Sequence, residues 1–120
     1  MPSNRERDRR IPEPPAVTAS AEELDRGEST YNRFCMVCHG TGVASSLVVP
    51  DLRFMSAETH RAFPDIVLGG IRSAKGMPSF AALIQPGEIG SLRAYIVSEA
   101  RKAFEAQQAE AAAAGDPGRG

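Results

Sequence analysis

Cys35-Met36-Val37-Cys38-His39 constrains this chain more than any other stretch. Two thiols three residues apart, with an imidazole directly after the second, form the C-x-x-C-H pattern through which a c-type haem is attached. The thiols add across the haem vinyl groups, and the imidazole takes one axial position on the iron. A small chain carrying such a group must fold around a large, flat hydrophobe. That suits a sequence of 120 residues with only five Phe, two Tyr and no Trp. A domain of this size buries a modest share of its surface unaided.

Other uses of these residues are weaker. A closed zinc site wants four ligands. The pool is Cys35, Cys38, His39 and His60, with no second C-x-x-C pair. Cys38 and His39 are adjacent, which is awkward around one tetrahedral ion. A thioredoxin-like motif needs a βαβ context, and no such pattern is visible. The two cysteines are too few for a disulfide framework.

The second axial position has several candidates. Met36 lies inside the attachment motif and cannot swing to the opposite face of the ring. Met55 follows His39 closely and reads as a packing residue. Met77 sits in Gly76-Met77-Pro78-Ser79-Phe80. There Gly lets the backbone approach the ring closely, and Pro holds the loop shape by fixing φ. His60 leaves a bis-histidine alternative, against its plainer reading as a partly exposed histidine early in a short helix. Met opposite His raises the reduction potential relative to two histidines. Six-coordinate iron has no open position for substrate, so His39 and Met77 as metal ligands point to an electron carrier. If Met77 were displaced or loosely held, an open iron could turn over peroxide, and that is the enzymatic alternative. No serine–histidine pairing, phosphate loop or persuasive carboxylate pair is present, so no catalytic residue is expected.

Charge and hydropathy exclude other classes. The chain has 14 Lys and Arg against 15 Asp and Glu, not the concentrated basic surface that nucleic acid requires. No apolar run reaches the ~18 residues of a membrane span. Covalent haem attachment takes place outside the cytoplasm in bacteria, which implies export to the periplasm. Yet Met1 to Arg10 is charged and polar, with none of the pattern of a secretory signal. The expectation is therefore an excised domain, or a mature chain with an added Met.

Residues 1–19 combine the charged run Arg5 to Arg10 with Pro12, Pro14 and Pro15, and read as a flexible linker or tail. A first helix is predicted from about Ala21 to Phe34 or Cys35. Ser20 is its N-cap and Glu23 stands at the capping-box position. Leu24, Gly27, Tyr31 and Phe34 share one face. A second helical signal runs from Ser56 to Gly69-Gly70, kinked or tightened by Pro64. The last helix is predicted to start at Pro86, with Ile89, Leu92, Tyr95, Ile96, Ala100 and Ala103 as its stripe. It extends into Ala111–Ala114 and stops at Gly115. No convincing alternating strand is present. The expected class is all-α, three to four helices with long loops wrapped around one covalently bound haem. The expected domain covers 20–105, with 106–120 a helix extension and disordered tail.

These features resemble a class I-type monohaem cytochrome c over about residues 20–105. The match is Gly27-x-x-x-Tyr31, Cys35-x-x-Cys38-His39-Gly40, Pro50-x-Leu52, Gly76-Met77-Pro78-x-Phe80 and Leu92-x-x-Tyr95-Ile96. Tyr31 to Cys35 and Asp65 to Gly70 give a narrower likeness to the C-terminal cytochrome domain of quinohaemoprotein (pyrroloquinoline quinone-dependent) alcohol dehydrogenases. The resemblance implies the cytochrome c fold, with first and last helices crossing nearly at right angles where Gly27 permits close approach and Tyr95 packs. It implies a Pro50 carbonyl accepting from His39 Nδ1–H, a contact that fixes ring orientation, and Leu52 touching the haem. Arg53, Arg72 and Lys75 become candidates for haem propionates or a docking rim. A dehydrogenase module as donor is implied, with another cytochrome, a copper protein or a terminal oxidase as acceptor, and a monomer as the isolated domain.

Overall fold

The computed structural model describes residues 10–39, 52–72, 77 and 79–113; of residues 37 and 38 it describes only the helical backbone. Helix α1 spans Ala21–Phe34. Its N-cap is Ser20, extended at φ −73° and ψ 163°, whose hydroxyl accepts the Glu23 N–H at 3.1 Å. This satisfies one of the amide donors that a helix start leaves open. Glu22 and Glu23 in the first turn and Arg33 in the last complement the helix dipole. The Cys35 N–H donates to the Tyr31 carbonyl at 2.8 Å, and the single turn of α2, Met36–His39, follows at once.

Downstream, a 3-10 turn covers Leu52–Phe54. Ser56 then caps α3, Ala57–Arg61, by accepting the Thr59 N–H at 3.1 Å. The predicted Pro64 kink is a full break. Ala62 leaves helical geometry at φ −85° and ψ 0°, and α4, Phe63–Val67, begins with Pro64 in its first turn. Proline is tolerated there because the first turn has no use for its missing N–H. A second 3-10 turn, Pro86–Glu88, leads into α5, Ile89–Ala113. The Glu88 carboxylate holds that entry by accepting the Gln85 N–H at 2.9 Å. The described residues contain no strand. No described helix is long and apolar enough to cross a membrane.

The core sits where α1 crosses α5. Tyr31, Leu92 and Ile96 are fully buried, with Ile84, Val67, Phe63, Ile89 and Tyr95 around them. The Tyr31 and Tyr95 rings meet at 5.4 Å between centroids, tilted by 53°, the offset geometry that aromatic pairs prefer. At Gly27 the two backbones come so close that a Cβ would run into the Ser91 carbonyl and stand 2.8 Å from the Tyr95 Cβ. The close approach implied for this glycine is thus present.

Two parts of the sequence reading differ from the structure. Within the stretch read as a linker, residues 10–15 lie on α5. Ile11 is 5% exposed and donates its N–H to Gln107 Oε1 at 2.9 Å. A single apolar residue between Arg10 and Pro12 carries no periodic signal, so its docking is a tertiary event. His60 is neither partly exposed nor early in its helix. It lies in the last turn of α3 and is 7% exposed, and its Nδ1 is buried with no hydrogen-bond partner. The predicted stop at Gly115 lies outside the described residues.

Gly27→Ala is expected to cost about 2 kcal/mol through overpacking, read as a lower denaturation midpoint at unchanged m-value. Gly90→Ala is the control. Nothing lies within 4 Å of its added methyl, so it should gain roughly 0.5–1 kcal/mol of helix propensity. Equal effects at the two sites would show that the crossing does not need a glycine.

His60 generates a second prediction. Burial, and then the charge of Arg93, hold its imidazole below the ordinary value of 6.5. The fold therefore keeps His60 neutral, while the unfolded chain protonates it below pH 6.5. Stability should be complete above that pH and decline as pH falls toward the lowered folded-state value. In pH-dependent melts, His60→Phe should flatten this limb of the profile, and a limb unchanged in slope would assign it to other groups.

Candidate haem site

The attachment motif is positioned by α1. Its last turn ends at Phe34, and Cys35 begins the turn in which His39 donates its N–H back to the Cys35 carbonyl at 2.8 Å. Residues 35–39 are thus one rigid turn set on the end of α1. Cys35 belongs to the core cluster, and His39 is only 7% exposed. Neither is a surface group open to random ions.

Met77 is carried on a segment that hydrogen-bonds to the end of α4. The Met77 N–H donates to the Arg72 carbonyl at 3.2 Å. Ser79 Oγ donates to the Leu68 carbonyl at 2.6 Å, and the Phe80 N–H donates to the Val67 carbonyl at 2.7 Å. The Ile84 N–H then closes a turn onto the Phe80 carbonyl at 2.8 Å. Gly70, at φ 66°, lets the chain reverse after α4, in a region side chains rarely tolerate. The Met77 side chain is half-buried against the core.

Cys35, His39, Met77 and Leu52 are all described, and Cys35, Met77 and Leu52 belong to, or pack on, one apolar cluster. Pro50, Gly76, Pro78, Lys75 and the Cys38 side chain lie outside the described residues. Met55 packs on the same cluster, as expected for a packing residue. Sequence reasoning passed over Phe34, Met36 and Leu68 as members of this surface. The Phe34 and Phe80 rings approach to 6.2 Å. The available signal was position: Phe34 directly precedes the attachment turn, and Phe80 closes the methionine segment.

The cluster tests whether these residues suit a haem. Seven apolar side chains (Phe34, Met36, Leu52, Met55, Leu68, Met77 and Phe80) remain only partly buried while packed on a fully buried core. A large flat hydrophobe would cover such a surface, and the nearby donors are imidazole, thiol and thioether, the ligand types of haem proteins. Among the described residues no group of three or more His, Cys, Asp or Glu could hold a metal ion. Tyr95 behind the cluster is pushed up to about 12 by burial and by the charges of Glu99 and Glu28, so it stays a neutral packing ring. The set fits a haem.

Ser79→Ala removes the 2.6 Å bond that hangs the methionine segment on α4. A lost bond of ~1 kcal/mol should speed hydrogen exchange at the Met77 and Phe80 amides about fivefold, with the α1 and α5 amides unchanged. No local change would mean that the segment is held by packing alone.

The comparisons with known proteins agree with this geometry. Residues 22–96 match the family described as cytochrome C oxidase, cbb3-type, subunit III. The quinohemoprotein alcohol dehydrogenase ADH IIB of Pseudomonas putida is 42% identical over 89 residues, 74% of this chain and 13% of that protein. The dehydrogenase subunit of the alcohol dehydrogenase (quinone) of Acetobacter aceti is 30% identical over 96 residues, 79% of this chain and 13% of that protein. The structure of the quinohemoprotein alcohol dehydrogenase ADHIIG from Pseudomonas putida HK5 superposes with a TM-score of 0.70 at 36% identity, covering 75% of this chain and 13% of that one. The chain spans about an eighth of the length of these relatives. The matched residues contain the α1–α5 crossing, the attachment turn and the methionine segment, and the chain belongs to this family of cytochrome c domains.

Proposed function

We propose that this chain is a one-electron relay for a single haem c, which Cys35 and Cys38 would hold through thioethers and His39 and Met77 would hold at the iron. The observation that carries the reading is the convergence of the buried attachment turn and the suspended Met77 on one apolar surface. When bound, the haem supplies reversible one-electron exchange at its iron. The protein supplies the rest. The helical turn holds His39 in place, and two bonds to the end of α4 and one to the Arg72 carbonyl restrain the segment that presents the Met77 sulfur. Phe34, Leu52, Leu68 and Phe80 would give the haem an apolar surface that excludes water. Pro50 would accept from His39 Nδ1 and so fix the imidazole plane.

With His39 and Met77 both holding the iron, no coordination position would remain for a substrate, which supports a carrier role. The similarity to quinohemoprotein dehydrogenases supports a quinone-cofactor dehydrogenase as electron donor, on the same polypeptide or a separate one. A second cytochrome, a copper protein or an oxidase is the acceptor. Haem attachment through thioethers takes place outside the cytoplasm in bacteria, which supports the periplasm as the working location.

The test begins with exported, maturation-competent material. A pyridine haemochrome assay should report one covalently attached haem per chain, and Cys35→Ala or Cys38→Ala should reduce attachment. Met77→Leu should convert low-spin ferric iron to a high-spin or altered spectrum and shift the midpoint potential downward, since the soft thioether favours reduced iron. If Met77→Leu left both spectrum and potential unchanged, the sixth ligand would lie elsewhere. High-spin iron in the unaltered protein would favour peroxide turnover over relay.

A further inference from the structure

The family match ends at residue 96, but α5 continues to Ala113. This continuation carries its own stripe: Ala100, Phe104, Gln107 and Ala111 recur at three- and four-residue spacing, which puts them on one helix face. Ala100 and Ala111 are buried, and Phe104 and Gln107 are half-buried. What lies on this end of the helix comes from the opposite end of the sequence. Ile11 inserts its side chain and donates its N–H to Gln107 Oε1 at 2.9 Å. Arg101 donates from Nη2 to the Pro14 carbonyl at 2.9 Å and pairs through Nη1 with the Glu13 carboxylate at 3.5 Å. The same guanidinium stands 5.8 Å from the centre of the Phe104 ring. Pro14 is buried; Pro12 and Glu13 face solvent. All these residues fall outside the matched 22–96.

We propose that the distal half of α5 is a recognition groove for an extended, proline-punctuated segment. Its resident occupant is residues 10–15 of the same chain, and the resulting clasp opens and closes independently of the core that carries Cys35, His39 and Met77. The chemistry of the contact supports this assignment. The prolines have no N–H to leave unsatisfied and are already restricted in φ, so the segment surrenders little freedom on docking. The groove provides one acceptor for the N–H of Ile11 and one fork for a carbonyl and a carboxylate. That pattern reads main chain as well as side chain and gives the segment a register. The ion pair is half-exposed and weak by itself, and few apolar groups are involved. Such an element belongs at the low-stability end of a fold, where local opening is frequent. By contrast, the α1–α5 crossing is fully buried and lies at the other half of the same helix.

The test uses the full-length holoprotein. A protease recognition site is inserted between Thr18 and Ala19, ahead of the Ser20 cap, and is cut after folding. The expected result is that the freed N-terminal fragment stays with the domain on gel filtration at micromolar concentration and exchanges with a labelled synthetic copy. Arg101→Ala in the uncut protein should speed hydrogen exchange about tenfold at amides 104–113, leaving the haem spectrum and midpoint potential unchanged. Three results would overturn the proposal. One is immediate loss of the fragment with exchange at 104–113 unaltered by Arg101→Ala. Another is a fall in core stability or a changed haem spectrum in step with the faster exchange, which would make the clasp part of the core. The third is a concentration-dependent dimer of the uncut protein that Arg101→Ala dissolves, which would place the segment of a second copy in the groove.

Discussion

The crossing of α1 over α5 is the contact on which the rest of this structure depends. It requires a residue without a side chain at position 27, because the Ser91 carbonyl occupies the space a Cβ would take. Once the backbones are that close, the Tyr31 and Tyr95 rings meet at a tilt beside the contact, and Leu92 and Ile96 are buried with them. The attachment turn is a direct extension of α1, so the angle of the crossing also sets where Cys35 and His39 stand. Interiors at crystal-like density transmit small displacements. A shift of one helix would therefore be felt at the haem surface as well as in the core.

The methionine segment is held by a different principle. Its described residues are not helical, and two of them donate hydrogen bonds to carbonyls at the end of α4. Helix ends leave such acceptors open, and here Ser79 and Phe80 use them. Gly70, at φ 66°, turns the chain just past the end of α4, and the Val67 and Leu68 carbonyls there accept from Phe80 and Ser79.

Much of this could be read from the sequence because it is encoded locally. Ser20 and Ser56 cap helices through their own hydroxyls, Pro64 breaks one, and the Ile89–Leu92–Ile96 stripe needs only the helical repeat to be seen. Cys35, Cys38 and His39 announce their chemistry by spacing. The unread parts are those in which partners lie far apart in the chain. His60 is buried within reach of the charge of Arg93, which α5 supplies from far along the chain. Docking of Ile11 depends on Gln107, and the Ser79 bond depends on where α4 ends. A residue type alone could not reveal these contacts, since serine, histidine and isoleucine are each common in settings without them.

The bond between Ile11 and Gln107 has an architectural consequence. It ties residue 11 to residue 107, in the half of α5 that lies away from the helix crossing. A module whose early and late residues are tied together can be hung from another polypeptide without stretching its interior. In this chain the geometry comes from one amide and one side-chain carbonyl meeting across nearly the whole length of the sequence.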